Sequence, residues 1–167
     1  MKTNALSVAN YFIELSLKDN RPMQLLGLVK RVYIAHGFSL ALLGRGLLDP
    51  RFDKVEAWRF GPVVPSVYHS FKWHKAEDIK TLTEVERQRN EWITPTLEDE
   101  EAKMIVEMVW KRYFHYSGSD LVSLTHLKGT PWEVCYAEGK NKEIPDYITE
   151  FYYKRLVNEI LANGNKK

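Results

Sequence analysis

Two prolines inside one apolar stretch restrict this chain more than any other feature: Val55-Glu56-Ala57-Trp58-Arg59-Phe60-Gly61-Pro62-Val63-Val64-Pro65-Ser66-Val67-Tyr68. Each proline fixes φ and removes a backbone donor. Each also pushes the residue before it, Gly61 or Val64, toward extended geometry. Gly61 accepts backbone angles that a bulkier residue resists. The stretch therefore reads as extended from Val55 to Trp58, turning at Gly61-Pro62, with a helix starting near Pro65, a residue suited to the first helical position. The result is a stiff knuckle that sets the direction of the helix beginning at Ser66. Trp58, Phe60 and Tyr68 each carry enough apolar area to anchor a core or an interface.

The flanking chain reads as helices. Ala5, Val8, Ala9, Phe12 and Leu15 recur at helical spacing, which predicts a helix over 5–18. A second helix is expected from Pro22 to Leu43, apolar on several sides and therefore central. Its Gly27 and Gly37 weaken a helix and mark places where another element packs closely. Gly44 ends it. Lys75 to Asn90 is highly charged and of mixed sign, and reads as an exposed helix or loop, the least constrained part of the fold. Thr96 is the expected N-cap of an amphipathic helix over 97–114. Ser119 is the expected cap of a short helix ending near His126, and Thr130-Pro131 opens another to Ala137. Pro145 opens the last helix, and 163–167 reads as a frayed tail. The sum is mainly α: one compact helical domain over 1–167, of about six to eight helices by apolar periodicity. There is room for one short two-stranded β element near 47–58, pairing Leu47-Leu48 with Val55 to Trp58.

Composition narrows the chemistry. The chain has 167 residues, 24 basic and 22 acidic, for a net charge of +2, so nothing in the balance calls for a polyanionic partner. A group of basic residues around the knuckle (Lys30, Arg31, Arg45, Arg51, Lys54, Arg59) interleaved with Trp58 and Phe60 is the residual argument for nucleic acid. Cys135 is the only cysteine, which excludes an internal disulfide and a cysteine-rich zinc site. No run of about 18 apolar residues is present, so no membrane span is expected, and without a leader-like N-terminus the expected location is the cytoplasm. His69 and His74 are about 140° apart around a helix, the wrong spacing for a metal clamp. Asp120, Ser123 and His126 sit on one short helix and do not make a hydrolase triad, which needs the base between nucleophile and acid. His36 falls on an apolar helix face, where a hydrogen-bonded core histidine is the ordinary reading. An enzyme, hydrolase or metal-dependent, would have to use His36 or His126.

Glu56-Ala57-Trp58 followed by Gly61-Pro62-Val63-Val64-Pro65-Ser66-Val67-Tyr68 resembles the central signature of the Panacea domain, a family of small bacterial and phage proteins found in many toxin–antitoxin pairs. Val32 to Gly37, Gly44 to Leu48, Leu124-Thr125-His126 and Pro131-Trp132 follow that family's pattern in the same order. The resemblance runs from about Ala5 to Leu161. It implies an antitoxin that binds and neutralises a cognate toxin, usually encoded by the adjacent gene, with no catalysis and no cofactor. One kind of relative is an adaptor that delivers its toxin to a protease of the cell. A phage-encoded protein acting on a host defence factor is the alternative reading of the same surface. Trp, Tyr and Arg dominate interface anchors, so the candidate partner-binding residues are Trp58, Arg59, Phe60, Gly61, Pro62, Val63, Tyr68 and Trp73.

Overall fold

The computed structural model describes residues 2–164. Among these residues the protein is mainly α, with seven α-helices and two small antiparallel sheets. Helix α1 (Ala5–Lys18) begins at a capping box: Asn4 Oδ1 accepts from the Ser7 amide, and Ser7 Oγ accepts from the Asn4 amide. Helix α2 (Leu25–Leu43) starts a turn later than Pro22 and ends at Gly44, which is left-handed with φ 69°. It runs through the centre, packed against α1, α4 (Glu100–Arg112), α5 (Gly118–Thr125) and α7 (Asp146–Gly164). Val32, Tyr33, Ile34 and Phe38 of α2 meet Phe12, Val109, Leu121 and Tyr153 in one continuous core.

The expected close approaches occur. A Cβ on Gly37 would lie 2.3 Å from ring carbons of Tyr153, so this glycine lets α7 cross α2. His36, 1% exposed, ties the same junction together. Its Nδ1 accepts the Leu47 amide at 3.1 Å, which leaves Nε2–H to donate to Asp146 at the start of α7 at 2.9 Å. That bond holds the Asp146 carboxyl below its ordinary range.

By length and composition α2 is apolar enough to cross a membrane, contrary to expectation. However, 78% of that window is buried inside the protein, and Lys30, Arg31 and His36 are buried with it, the profile of a core helix.

The β structure departs from expectation. Strand β1 (Glu56–Trp58) pairs with β2 (Gly61–Val63) and with β5 (Lys142–Glu143), in the order β2-β1-β5; Leu47-Leu48 takes no part. The turn is made by Arg59-Phe60, ahead of Gly61-Pro62, because Pro62 is tolerated on an edge strand. Helix α3 (Pro65–Phe71) follows and tightens into a 3₁₀ turn at Lys72–His74.

The charged segment after it forms a second hairpin, β3 (Val85–Gln88) with β4 (Glu91–Ile93). Its strands are exposed, but its base is clamped. The buried Asn10 side chain donates to the Thr83 and Pro95 carbonyls and accepts the Thr83 amide. The caps also shift: Asp99, not Thr96, caps α4, and Ser117, not Ser119, caps α5 in a box with Asp120. Helix α6 (Pro131–Cys135) is capped by Thr130 as expected. Asn163 and Gly164 are helical rather than frayed, and the remainder of that expected tail lies outside the described residues.

Candidate functional site: the β1–β2 hairpin and its cavity

Hairpin β1–β2 is too short to satisfy its own backbone, and neighbouring side chains complete it. Lys30 Nζ on α2 donates to the Pro62 carbonyl at 2.9 Å. Trp132 Nε1 on α6 donates to the Trp58 carbonyl at 2.5 Å. His126, at the end of α5, brings Nε2 to 3.1 Å from the Arg59 carbonyl, while its Nδ1 lies 2.8 Å from the Val122 carbonyl. A neutral imidazole donates to one of these oxygens, and only the protonated ring donates to both. Gly61 has φ 110°, and a Cβ there would lie 3.1 Å from Lys30 Nζ and 3.2 Å from Thr125 Oγ1. Any other residue would be strained and would also push against the clamp.

This scaffold divides the eight candidate residues. Gly61, Pro62 and Val63 are buried and serve the hairpin itself. Trp58 is half-buried: its indole donates to Glu56 at 2.6 Å and meets the Tyr68 ring edge-to-face at 5.0 Å. Arg59 and Phe60 point outward, Phe60 at 61% exposure with the Arg59 guanidinium 5.4 Å from its ring centre. Trp73 is exposed too, but it stacks on His74 in the 3₁₀ turn and does not line the cavity beside the hairpin.

That cavity measures about 260 Å³. Trp58, Phe60, Val63 and Tyr68 line it from the hairpin side; Leu25, Leu26 and Val29 of α2 line the other. Its polar lining comes from Lys30, Arg59 and Asn141. Lys30 is 1% exposed, and its burial pushes the amine down to about 7. Sequence reasoning missed Leu25, Leu26 and Val29 as contributors; it set Lys30 beside the knuckle, but only as part of a nucleic-acid site. The available signal was a cationic pair, Lys30-Arg31, inside an otherwise apolar helix run.

The competing chemistries lose their geometry. Arg31 is buried and donates to the Tyr113 and Tyr116 carbonyls. Arg45 pairs with Asp99 and Glu101, Arg51 with Asp49, and Lys54 with Glu56. The basic group that suggested nucleic acid is thus largely internal or neutralised. Asp120 is occupied capping Ser117, and both His126 nitrogens face backbone carbonyls, so two of the three residues of the apparent triad are committed to structure. His36 is held between Leu47 and Asp146. Among the described residues no group of three or more His, Cys, Asp or Glu side chains is placed to hold a metal ion.

Comparison with known proteins adds two findings. Residues 28–133 match the family described as antitoxin SocA-like, Panacea domain. The chain is 32% identical to antitoxin SocA of Caulobacter vibrioides (strain NA1000 / CB15N) over 133 residues, 78% of this chain and 69% of that protein. No solved structure matches.

Proposed function

The chain belongs to the SocA-like Panacea antitoxin family, and on that premise we propose that it binds and neutralises a cognate toxin, encoded by the adjacent gene, by direct protein–protein contact through the β1–β2 hairpin face. The observation that carries this reading is the coincidence of two things. The family match spans the hairpin, α3, and the Lys30, His126 and Trp132 side chains that clamp it. The same hairpin holds Arg59 and Phe60 out to solvent beside an apolar cavity. An aromatic and an arginine on a rigid turn are the ordinary currency of interface hot spots. No bond is made or broken in this role. Delivery of the captured toxin to a protease is a further step that the same contact would serve.

The test is co-expression. The neighbouring reading frame should be lethal alone and harmless with this chain. Phe60→Ala and Arg59→Ala should each lose protection while keeping the wild-type melting temperature, because both side chains are exposed. Val63→Ala should instead lower stability, because Val63 is 6% exposed and packs beneath the turn. A neighbour that is benign by itself would remove the reading. A toxin lifetime that is unchanged by the chain would remove the delivery step alone.

A further inference from the structure

Lys30 is a buried cation whose partner is a carbonyl. Its ammonium has three N–H donors, and the hydrogen bond it makes is to Pro62 O. Among the described residues no carboxylate forms an ion pair with it; of the other clustered cations, Arg45, Arg51 and Lys54 each have one, while the buried Arg31 is held by two carbonyls. Burying a charge is expensive unless it is paired. Lys30 nonetheless sits in the lining of the hairpin cavity, below the exposed Leu26 and Phe60 and alongside Arg59. The lining is therefore apolar and cationic at once, with no acidic residue in it.

Resting on the antitoxin reading above, we propose that this cavity receives from the toxin a peptide segment carrying a large apolar side chain next to an aspartate or glutamate. The apolar side chain fills the space between α2 and the hairpin, and the carboxylate takes the unused donors of Lys30. The carboxylate would have the cavity's positive groups to itself, and Lys30 would gain the ion pair that the free protein lacks. Such charge-assisted bonds in a dry pocket are the strong ones. A partner with the apolar residue alone would leave the ammonium capped on one side only, so the pocket selects by charge as well as by shape.

The probe is a matched pair of peptides, acetyl-Leu-Phe-Glu-amide and acetyl-Leu-Phe-Gln-amide, titrated into the wild-type protein at about pH 6, where Lys30 is protonated in the folded protein, and followed by the Val29 and Val63 methyl and Trp58 indole NMR signals. The glutamate peptide should shift these signals and bind at least about tenfold more tightly than the glutamine peptide, the factor expected for one charge-assisted bond. Lys30→Met should bind both alike. Equal binding by the wild type, no binding by either peptide, or discrimination retained in Lys30→Met would each overturn the proposal. The wild-type comparison stands even if Lys30→Met does not fold. Co-expression keeps the two ideas apart: a protein that rescues growth yet does not distinguish the peptides loses only the carboxylate, and one that distinguishes the peptides yet rescues nothing loses only the antitoxin role.

Discussion

Lys30 brings its charge into the core with a single carbonyl for company, and that has a consequence for stability. Burial lowers its pKa from 10.5 to about 7. Between those values the unfolded chain holds a proton that the folded chain has shed. Unfolding therefore takes up a proton, and stability rises with pH from about 7 toward 10. Below about 7 both states are protonated and the full penalty stands. The size is about 5 kcal/mol at most, from roughly 1.4 kcal/mol per pKa unit. Lys30→Met should remove this dependence, so that its stability relative to wild type is greatest near pH 6 and declines steadily toward pH 9.5 in urea unfolding. A difference that stays level with pH would contradict the burial of the charge. The residue scale is also where the sequence was least legible. Phe60 and Val63 look alike as apolar candidates, yet one is 61% and the other 6% exposed, because the turn falls between Trp58 and Gly61. Only the register of a three-residue hairpin separates them, and apolar spacing cannot resolve it.

Among the elements, the helices with strong apolar periodicity were plainly written in the sequence. Helix α1 matches its expected bounds of 5–18, and α4 sits inside its expected range. The hairpin over 85–93 was not. Its strands are exposed on both faces, so no alternation of apolar and polar residues marks them. What holds them is Asn10, more than seventy residues away in the chain. The two helical glycines were legible as close contacts, and Gly37 makes this testable. Gly37→Ala would gain about 1 kcal/mol of helix propensity. It would also place a methyl 2.3 Å from Tyr153, a buried ring packed against Tyr33 and Phe38. The overlap, which costs about 1–3 kcal/mol, should win, with a net loss of up to about 2 kcal/mol after the propensity gain, read as a lower urea midpoint. A variant as stable as wild type would mean that α7 is free to slide away from α2.

Across the whole molecule, a central helix is wrapped on most sides and left partly uncovered along one. Where α2 faces α1, α4, α5 and α7 its side chains are sealed. Toward the β1–β2 hairpin, Leu26 stays 49% exposed and a cavity remains. The same layout explains why a net charge of +2 creates no basic face: of the arginines near the hairpin, Arg31 is internal and Arg45 and Arg51 are paired, which leaves Arg59 exposed. Family membership was readable from the Trp58-to-Tyr68 block, whereas the cavity was not, because Leu25, Leu26 and Val29 join it only through the fold. The most direct measurement is the affinity of the purified neighbouring toxin for the wild type, Phe60→Ala and Trp92→Ala, all confirmed folded. Phe60→Ala should bind about thirtyfold more weakly, a hot-spot loss of about 2 kcal/mol. Trp92→Ala, an equally exposed aromatic on the other hairpin, should stay within about twofold of wild type, as expected for a residue outside the hot spot. Undiminished binding by Phe60→Ala, with the loss falling on Trp92→Ala, would place the toxin elsewhere on the protein.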